Sequence, residues 1–112
     1  MKVSYRKAKG GDIMKNYRQG DVDIKEIKSI PKSAKPSTDK ILAYGEATGH
    51  NHRINGQVLV FKDAGQTYIQ VKRTAELIHQ EHKPLQIEEG LYEIKIELEY
   101  DPFTEVLARV RD

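Results

Sequence analysis

Short segments in which apolar and polar residues alternate, separated by turn residues about every 8–12 positions, constrain the fold of this 112-residue chain most. The clearest segment runs from Leu91 to Tyr100, where every second residue is apolar and its neighbours are charged. This period of two is typical of strands that bury one face. A chain of this length fits one core, so the pattern predicts one all-β, mostly antiparallel domain, a small barrel or sandwich with at most one short helix.

Two turn signals predict how the central strands pair. Asn55-Gly56, flanked by alternating residues, predicts a two-residue type I′ hairpin that places His50 and His52 on one sheet face. Counting across that turn adds two apolar residues to this face, Leu59 and Phe61. Asp63-Ala64-Gly65 predicts a second hairpin with a three-residue loop, in which Lys62 pairs with Gln66. That hairpin adds three more residues to the same face, Thr67, Ile69 and Val71, so the histidine face is predicted to be the inner one.

All four histidines lie between residues 45 and 84, in two closely spaced pairs. His50 and His52 are two residues apart, a spacing that puts both imidazoles on one side of a strand. Residues 74–83 fit either a short strand followed by a turn or about two turns of helix. The neighbouring β segments favour the strand, which points His79 inward and leaves His82 in the turn. The histidines are therefore predicted ligands of one divalent metal ion, with Glu46 and Glu81 as candidate catalytic acids or bases.

Imidazole nitrogens suit Zn, Fe, Mn and Ni alike, so these ligands do not select a metal. Three histidines with an open position are typical of catalytic metal sites, and the leading hypothesis is a metal-dependent hydrolase or oxidase acting on a small-molecule substrate. One alternative is a non-enzymatic nucleic-acid-binding or assembly module with structural histidines. Another is a metal-free phosphodiesterase with histidines as general acid and base, in which Arg53, Arg73 or Lys83 steadies the phosphate.

Charge is distributed unevenly along the chain, although the net charge is only +2. Residues 1–40 contain 11 Lys and Arg against 5 Asp and Glu, whereas residues 41–112 contain 8 against 12. The basic part is the surface expected to contact nucleic acid. Residues 1–16 show little apolar periodicity and contain Gly10-Gly11, so they are expected to form a flexible basic arm before a single domain at residues 17–112.

The chain contains no cysteine, which excludes disulfides and thiolate ligands and leaves His, Asp and Glu to hold a metal. No apolar run approaches the roughly 20 residues that span a bilayer, and polar residues follow Met1 where a signal peptide would be apolar. A cytoplasmic protein with no membrane partner is the default expectation. Exposed strand edges favour a homo-oligomer.

Gly49-His50-Asn51-His52, followed later by Glu88-Glu89-Gly90, is similar to the cupin pattern, in which an HxH strand precedes a P-x-G turn. Glu88 stands where that pattern has proline. The similarity implies a cupin-like or jelly-roll-like barrel, and it carries a metal role only to His50 and His52.

A longer set of motifs resembles small uncharacterised bacterial and phage proteins. The motifs are Tyr17-Arg18-Gln19-Gly20-Asp21-Val22, Gly45-Glu46-Ala47-Thr48-Gly49-His50-Asn51-His52-Arg53, Glu81-His82-Lys83-Pro84, Tyr92-Glu93 and Glu99-Tyr100-Asp101-Pro102. The resemblance spans residues 17–112 and implies that residues 1–16 are an extension. It implies no activity.

Overall fold

The computed structural model describes residues 2–7, 10–44, 49–101 and 106–109. These residues form ten strands, β1 (Lys2–Lys7), β2 (Ile13–Gln19), β3 (Val22–Ile27), β4 (Lys35–Ser37), β5 (Ile41–Tyr44), β6 (Asn51–Asp63), β7 (Gln66–Ile78), β8 (Leu85–Ile96), β9 (Leu98–Asp101) and β10 (Val106–Arg109). Every strand pair is antiparallel, which confirms the predicted fold class. A helix that could cross a membrane does not occur in the described part of the chain.

Eight of the strands form one strongly curled sheet. Its order is β1-β2-β3-β8-β7-β6-β4, and β5 pairs with β6 on the same edge as β4, while β9 and β10 pair with each other. Gln19 on β2 and His52 on β6 are four strand intervals apart, which would be about 19 Å in a flat sheet. Their side-chain atoms are nevertheless 2.8 Å apart. The sheet therefore curls until β2 faces β6, and it remains open, which fits the barrel-like or sandwich-like class.

The inner face of the curled sheet holds the apolar core. Alternation in β3 buries Val22 and Ile24, as the sequence predicts, and alternation in β8 buries Tyr92 and Ile94. Other fully buried members are Ile54, Ile69, Leu77, Leu85 and Ile87. Complete burial of such a side chain contributes roughly 1.5–3 kcal/mol, so these positions hold the curl against the entropy of the open chain.

The predicted hairpin at Asn55-Gly56 is wrong, because β6 continues through both residues. Gly56 has a φ of +112°, and the pairing register with β7 shifts between Gly56 and Val58, which makes this a β-bulge. A Cβ atom on Gly56 would lie 2.7 Å from the Thr74 carbonyl oxygen. Glycine is needed here because the backbones of β6 and β7 approach each other closely, and the strand does not turn at this position.

The bulge changes which residues face inward. His52 and Ile54 are buried before it, and Val58 and Val60 are buried after it. The predicted inward position of Leu59 is wrong, because its side chain is 41% exposed, and Phe61 is half-buried on the same side of β6. The predicted inward positions of Ile69 and Val71 are confirmed.

The second hairpin turns at Ala64-Gly65, one residue shorter than predicted. Asp63 pairs with Gln66, so the predicted pairing of Lys62 with Gln66 is wrong by one position. Ala64 and Gly65 have φ values of +48° and +83°, as in a type I′ turn. This register places Val60 opposite Ile69 and lets both be buried.

Other strand boundaries also differ from the prediction. The predicted turn at Glu89-Gly90 is wrong, because β8 continues through it. The predicted loop between Pro31 and Asp39 contains the short strand β4. Strand structure begins before Tyr17, because residues 2–7 and 13–16 lie in β1 and β2. The mobility of the N-terminal arm stays a prediction.

Residues 74–78 belong to β7, so the preferred strand interpretation of this segment is confirmed over the helix. Leu77 and His79 are buried, as that interpretation requires, and His82 lies in the bend that follows. The last predicted strand is present as β10, while Pro102 and Val110 lie outside the described residues.

Candidate functional site

His52 is fully buried where β2 meets β6, and a glutamine fixes its orientation. The Gln19 side-chain amide donates from Nε2 to the Leu77 carbonyl oxygen at 3.0 Å and to the Lys83 carbonyl oxygen at 2.9 Å. Two carbonyl acceptors assign the nitrogen end of the amide, so Gln19 Oε1 is the atom 2.8 Å from His52 Nδ1. Because that oxygen only accepts, His52 Nδ1 carries a proton and donates it.

Asp21 faces the other nitrogen of the same ring. It lies in the turn between β2 and β3, where its carbonyl oxygen accepts the Glu97 N–H at 2.8 Å. Asp21 Oδ1 is 3.4 Å from His52 Nε2, and both side chains are almost completely buried. An amide, an imidazole and a carboxylate thus form a line across the inside of the curl, which is named here the Gln19–His52–Asp21 network.

The other three imidazole rings lie beside His52. The centroid of the His79 ring is 4.4 Å from that of His52, 4.5 Å from that of His82 and 5.4 Å from that of His50. His82 and His52 are stacked with centroids 6.0 Å apart. The structure therefore brings together all four histidines that the sequence nominates.

His79 is held by the turn that follows β7. Its Nδ1 accepts the backbone N–H of Glu81 at 3.0 Å and that of His82 at 3.3 Å. A neutral ring with an accepting Nδ1 carries its proton on Nε2. In this geometry the Nδ1 lone pair of His79 accepts hydrogen bonds that stabilise the turn. His79 is therefore better suited to positioning this turn than to binding a metal ion.

Of the two predicted catalytic acids or bases, the structure describes Glu81 but not Glu46. Glu81 Oε1 is 3.8 Å from His50 Nδ1, and the Glu81 side chain is 62% exposed whereas that of His50 is 25% exposed. Glu46 lies outside the described residues. Within the described ranges, no three His, Asp or Glu side chains are already arranged to hold a metal ion.

Gln19 and Asp21 are site residues that the sequence patterns miss. In the sequence, Gly20-Asp21 reads only as a turn before a strand. A sequence signal that could have found them is an amide, Gln19, and a carboxylate, Asp21, on either side of Gly20 and directly before the buried residue Val22. Their meeting with His52 depends on the curl of the sheet, which no local pattern encodes.

Three basic side chains of the N-terminal part of the chain are paired with acids within the fold. Lys28 lies 2.7 Å from Asp12, and Arg18 pairs with Asp23 and Glu97. Lys15 Nζ is 3.8 Å from a Glu88 carboxylate oxygen. Such pairs reduce the positive potential that a nucleic acid would meet at these three side chains.

Comparison with known proteins identifies a family and no characterised relative. A family model described as Domain of unknown function (DUF8820) matches residues 18–97, which is more than half of the chain. No curated protein and no solved structure matches the chain. The matched residues include the Gln19–His52–Asp21 network and all four histidines.

Proposed function

Because the chain belongs to this family of unknown function, we propose its function from its site: a β protein that binds one divalent metal ion between Asp21 and His52. The observation that carries the proposal is the 3.4 Å separation of Asp21 Oδ1 and His52 Nε2. Two acceptor atoms that face each other inside a protein repel unless a positive species lies between them. The species that we propose is a divalent metal ion.

The distance favours a metal ion over a proton. A charge-assisted N–H···O hydrogen bond is typically about 2.7–2.9 Å between heavy atoms, which is shorter than the observed separation. Two ligands at roughly 2.0–2.1 Å from a tetrahedral ion lie about 3.3–3.4 Å apart. His52 also donates its other ring proton to Gln19, which is the usual way in which a metal-bound imidazole is oriented.

Further ligands have to come from the neighbouring imidazoles. His50 is partly exposed and His82 lies in a bend, so either ring can turn about its side-chain torsions without moving a strand. Glu81 then orients His50 through their 3.8 Å contact. A bound divalent ion would supply Lewis acidity or an activated water at this position, and metal-assisted hydrolysis is the reaction class that we propose.

Metal titration of tag-free protein tests the proposal. We expect one Zn²⁺ or Mn²⁺ per chain by calorimetry, a metal-dependent rise in melting temperature, and at least a hundredfold weaker binding in Asp21→Asn. The matched control is Asp23→Asn, since Asp23 lies two residues away and faces Arg18 instead of the network. Equal metal content and equal melting temperatures in wild type and Asp21→Asn, with and without chelator, would refute the metal site.

The second candidate function is a binding module with structural histidines. It is favoured by His79, whose Nδ1 is engaged by two backbone N–H groups. Under this alternative a chelator leaves the melting temperature unchanged, while His52 and Asp21 share a proton. The predicted homo-oligomer, the cytoplasmic location and a nucleic-acid partner stay predictions, and gel filtration and salt-dependent binding titrations address the first and the last of them.

A further inference from the structure

A polar cleft lies on the outer face of the sheet, beside the imidazole rings. It has a volume of about 440 Å³, which is within the range of small-molecule sites. Its lining residues come from β6 and from the end of β7: Asn51, Arg53, Asn55, Ile78, His79 and Gln80. His79 lines this cleft and also contacts the rings of His50, His52 and His82. The His79 side chain therefore lies between the cleft and the proposed metal position.

The lining of the cleft favours an acceptor-rich, negatively charged ligand. Among the described residues that line the cleft, Arg53 has the fixed charge and none is a carboxylate. Gln80 Oε1 accepts the backbone N–H of Asn51 at 2.9 Å, which leaves the amide NH₂ as the end that can donate to a ligand. Asp39 interacts with Arg53, but its carboxylate is also 3.4 Å from Lys62 Nζ, which offsets its charge.

The size of the cleft limits the ligand to a small molecule. At roughly 30 Å³ for each water-sized group, the volume corresponds to about fifteen such groups. The planar guanidinium of Arg53 presents paired donors that match the oxygens of a phosphate or a carboxylate. A polymer would need a continuous basic track, whereas the basic side chains Lys15, Arg18 and Lys28 are paired with acids.

We infer that this cleft binds a small molecule through an oxyanion, a phosphate or carboxylate group, with Arg53 as its counter-charge. His79 then lies at the boundary between the bound molecule and the imidazole rings. The role of the cleft as the substrate site of the proposed metal centre rests on that proposal, whereas anion binding itself is measurable without metal.

Titration of metal-free, ¹⁵N-labelled protein with inorganic phosphate, and separately with acetate, tests the inference at constant ionic strength. We expect saturable shifts at the backbone amides of Asn51, Arg53 and Gln80, with the tighter anion identifying the ligand group. Arg53→Gln should weaken binding at least tenfold, and Arg53→Lys should weaken it less. Arg73→Gln is the matched control, because Arg73, a phosphate contact in one alternative from the sequence, is an exposed arginine of β7 that does not line the cleft.

The outcomes separate this inference from the metal proposal. Phosphate or acetate binding that persists in metal-free protein and in Asp21→Asn supports the cleft even if no metal binds. Equal loss in Arg53→Gln and Arg73→Gln, or shifts scattered over many lysines, would mean nonspecific attraction and would overturn it. Binding seen only after metal is added would place the anion on the metal and would also overturn it.

Discussion

Replacing Gln19 by leucine tests whether the Gln19–His52–Asp21 network holds the curled sheet together. Leucine has a similar volume to glutamine, so the change removes hydrogen bonds with little cavity formation. Three bonds are lost: those from Gln19 Nε2 to the carbonyl oxygens of Leu77 and Lys83, and the one from His52 Nδ1 to Gln19 Oε1. The Leu77 carbonyl oxygen and the His52 ring stay buried, where replacement by water is hindered, whereas the Lys83 contact is only partly buried.

The expected loss follows from these three bonds. Each contributes about 1 kcal/mol net, and a partner left without water costs a comparable amount or more, so the free energy of unfolding should fall by about 3 kcal/mol. For a domain of this size, each kcal/mol lowers the melting temperature by about 4 °C, which gives a fall of about 12 °C. Such a loss is a large fraction of the roughly 5–15 kcal/mol that stabilises most domains.

Urea unfolding followed by circular dichroism at 25 °C measures this loss. Gln66→Leu is the matched control, because Gln66 is an exposed glutamine at the start of β7, and its replacement should change stability by less than about 0.5 kcal/mol. An unchanged m-value would show that the unfolded state is the same. If Gln19→Leu proved as stable as Gln66→Leu, the hydrogen bonds assigned to Gln19 would be absent in solution.

Three further predictions concern the backbone and the core. Gly56→Ala should destabilise the protein by about 2–4 kcal/mol in urea unfolding, because its Cβ would lie 2.7 Å from the Thr74 carbonyl oxygen; a loss below 1 kcal/mol would contradict the bulge. Ala64→Asn should raise the melting temperature, gaining about 0.5–1 kcal/mol, since Ala64 has a φ of +48° that asparagine tolerates better; no gain would argue against the type I′ turn. Burial, with Tyr17 beside it, raises the pKa of Tyr92 well above its ordinary value of 10.0. The unfolded chain then releases this proton near pH 10 while the folded chain keeps it, so this group costs up to about 1.4 kcal/mol of stability per pH unit above pH 10. Urea unfolding at several alkaline pH values should show a shallower decline in Tyr92→Phe, and parallel declines would refute the assignment.

The strands were predictable from the sequence wherever apolar alternation alone decides them. Burial of Val22 and Ile24 in β3, and of Tyr92 and Ile94 in β8, follows the period of two. Local turn signals fail at Asn55-Gly56, because this pair has better type I′ residues than Ala64-Gly65, yet β6 continues through it and the chain turns at the second pair. Two strands of 13 residues bury more apolar surface together than a hairpin at Asn55-Gly56 would, and that long-range gain outweighs the local preference of the turn.

The site was predictable only in its histidines. The sequence prediction places His52 and His79 inward, and the structure confirms both positions even though the predicted turn between them, on which this prediction partly rested, is wrong. Gln19 and Asp21 were missed because their contact with His52 joins β2 to β6 across the whole curl. Side chains that meet through sheet curvature leave no spacing pattern in the sequence.

The polar interior of the curl is the reason for which we propose a ligand in addition to a structural role. Apolar residues of similar volume at Gln19, His52 and Asp21 would join β2 to β6 without the desolvation of a buried carboxylate, and such replacements are often neutral or stabilising. The network instead places an imidazole and a carboxylate side by side in the interior, an arrangement that the proposed divalent ion would use. Among the rings beside His52, that of His79 is engaged by the turn after β7, so further ligands of the proposed ion would come from His50 or His82.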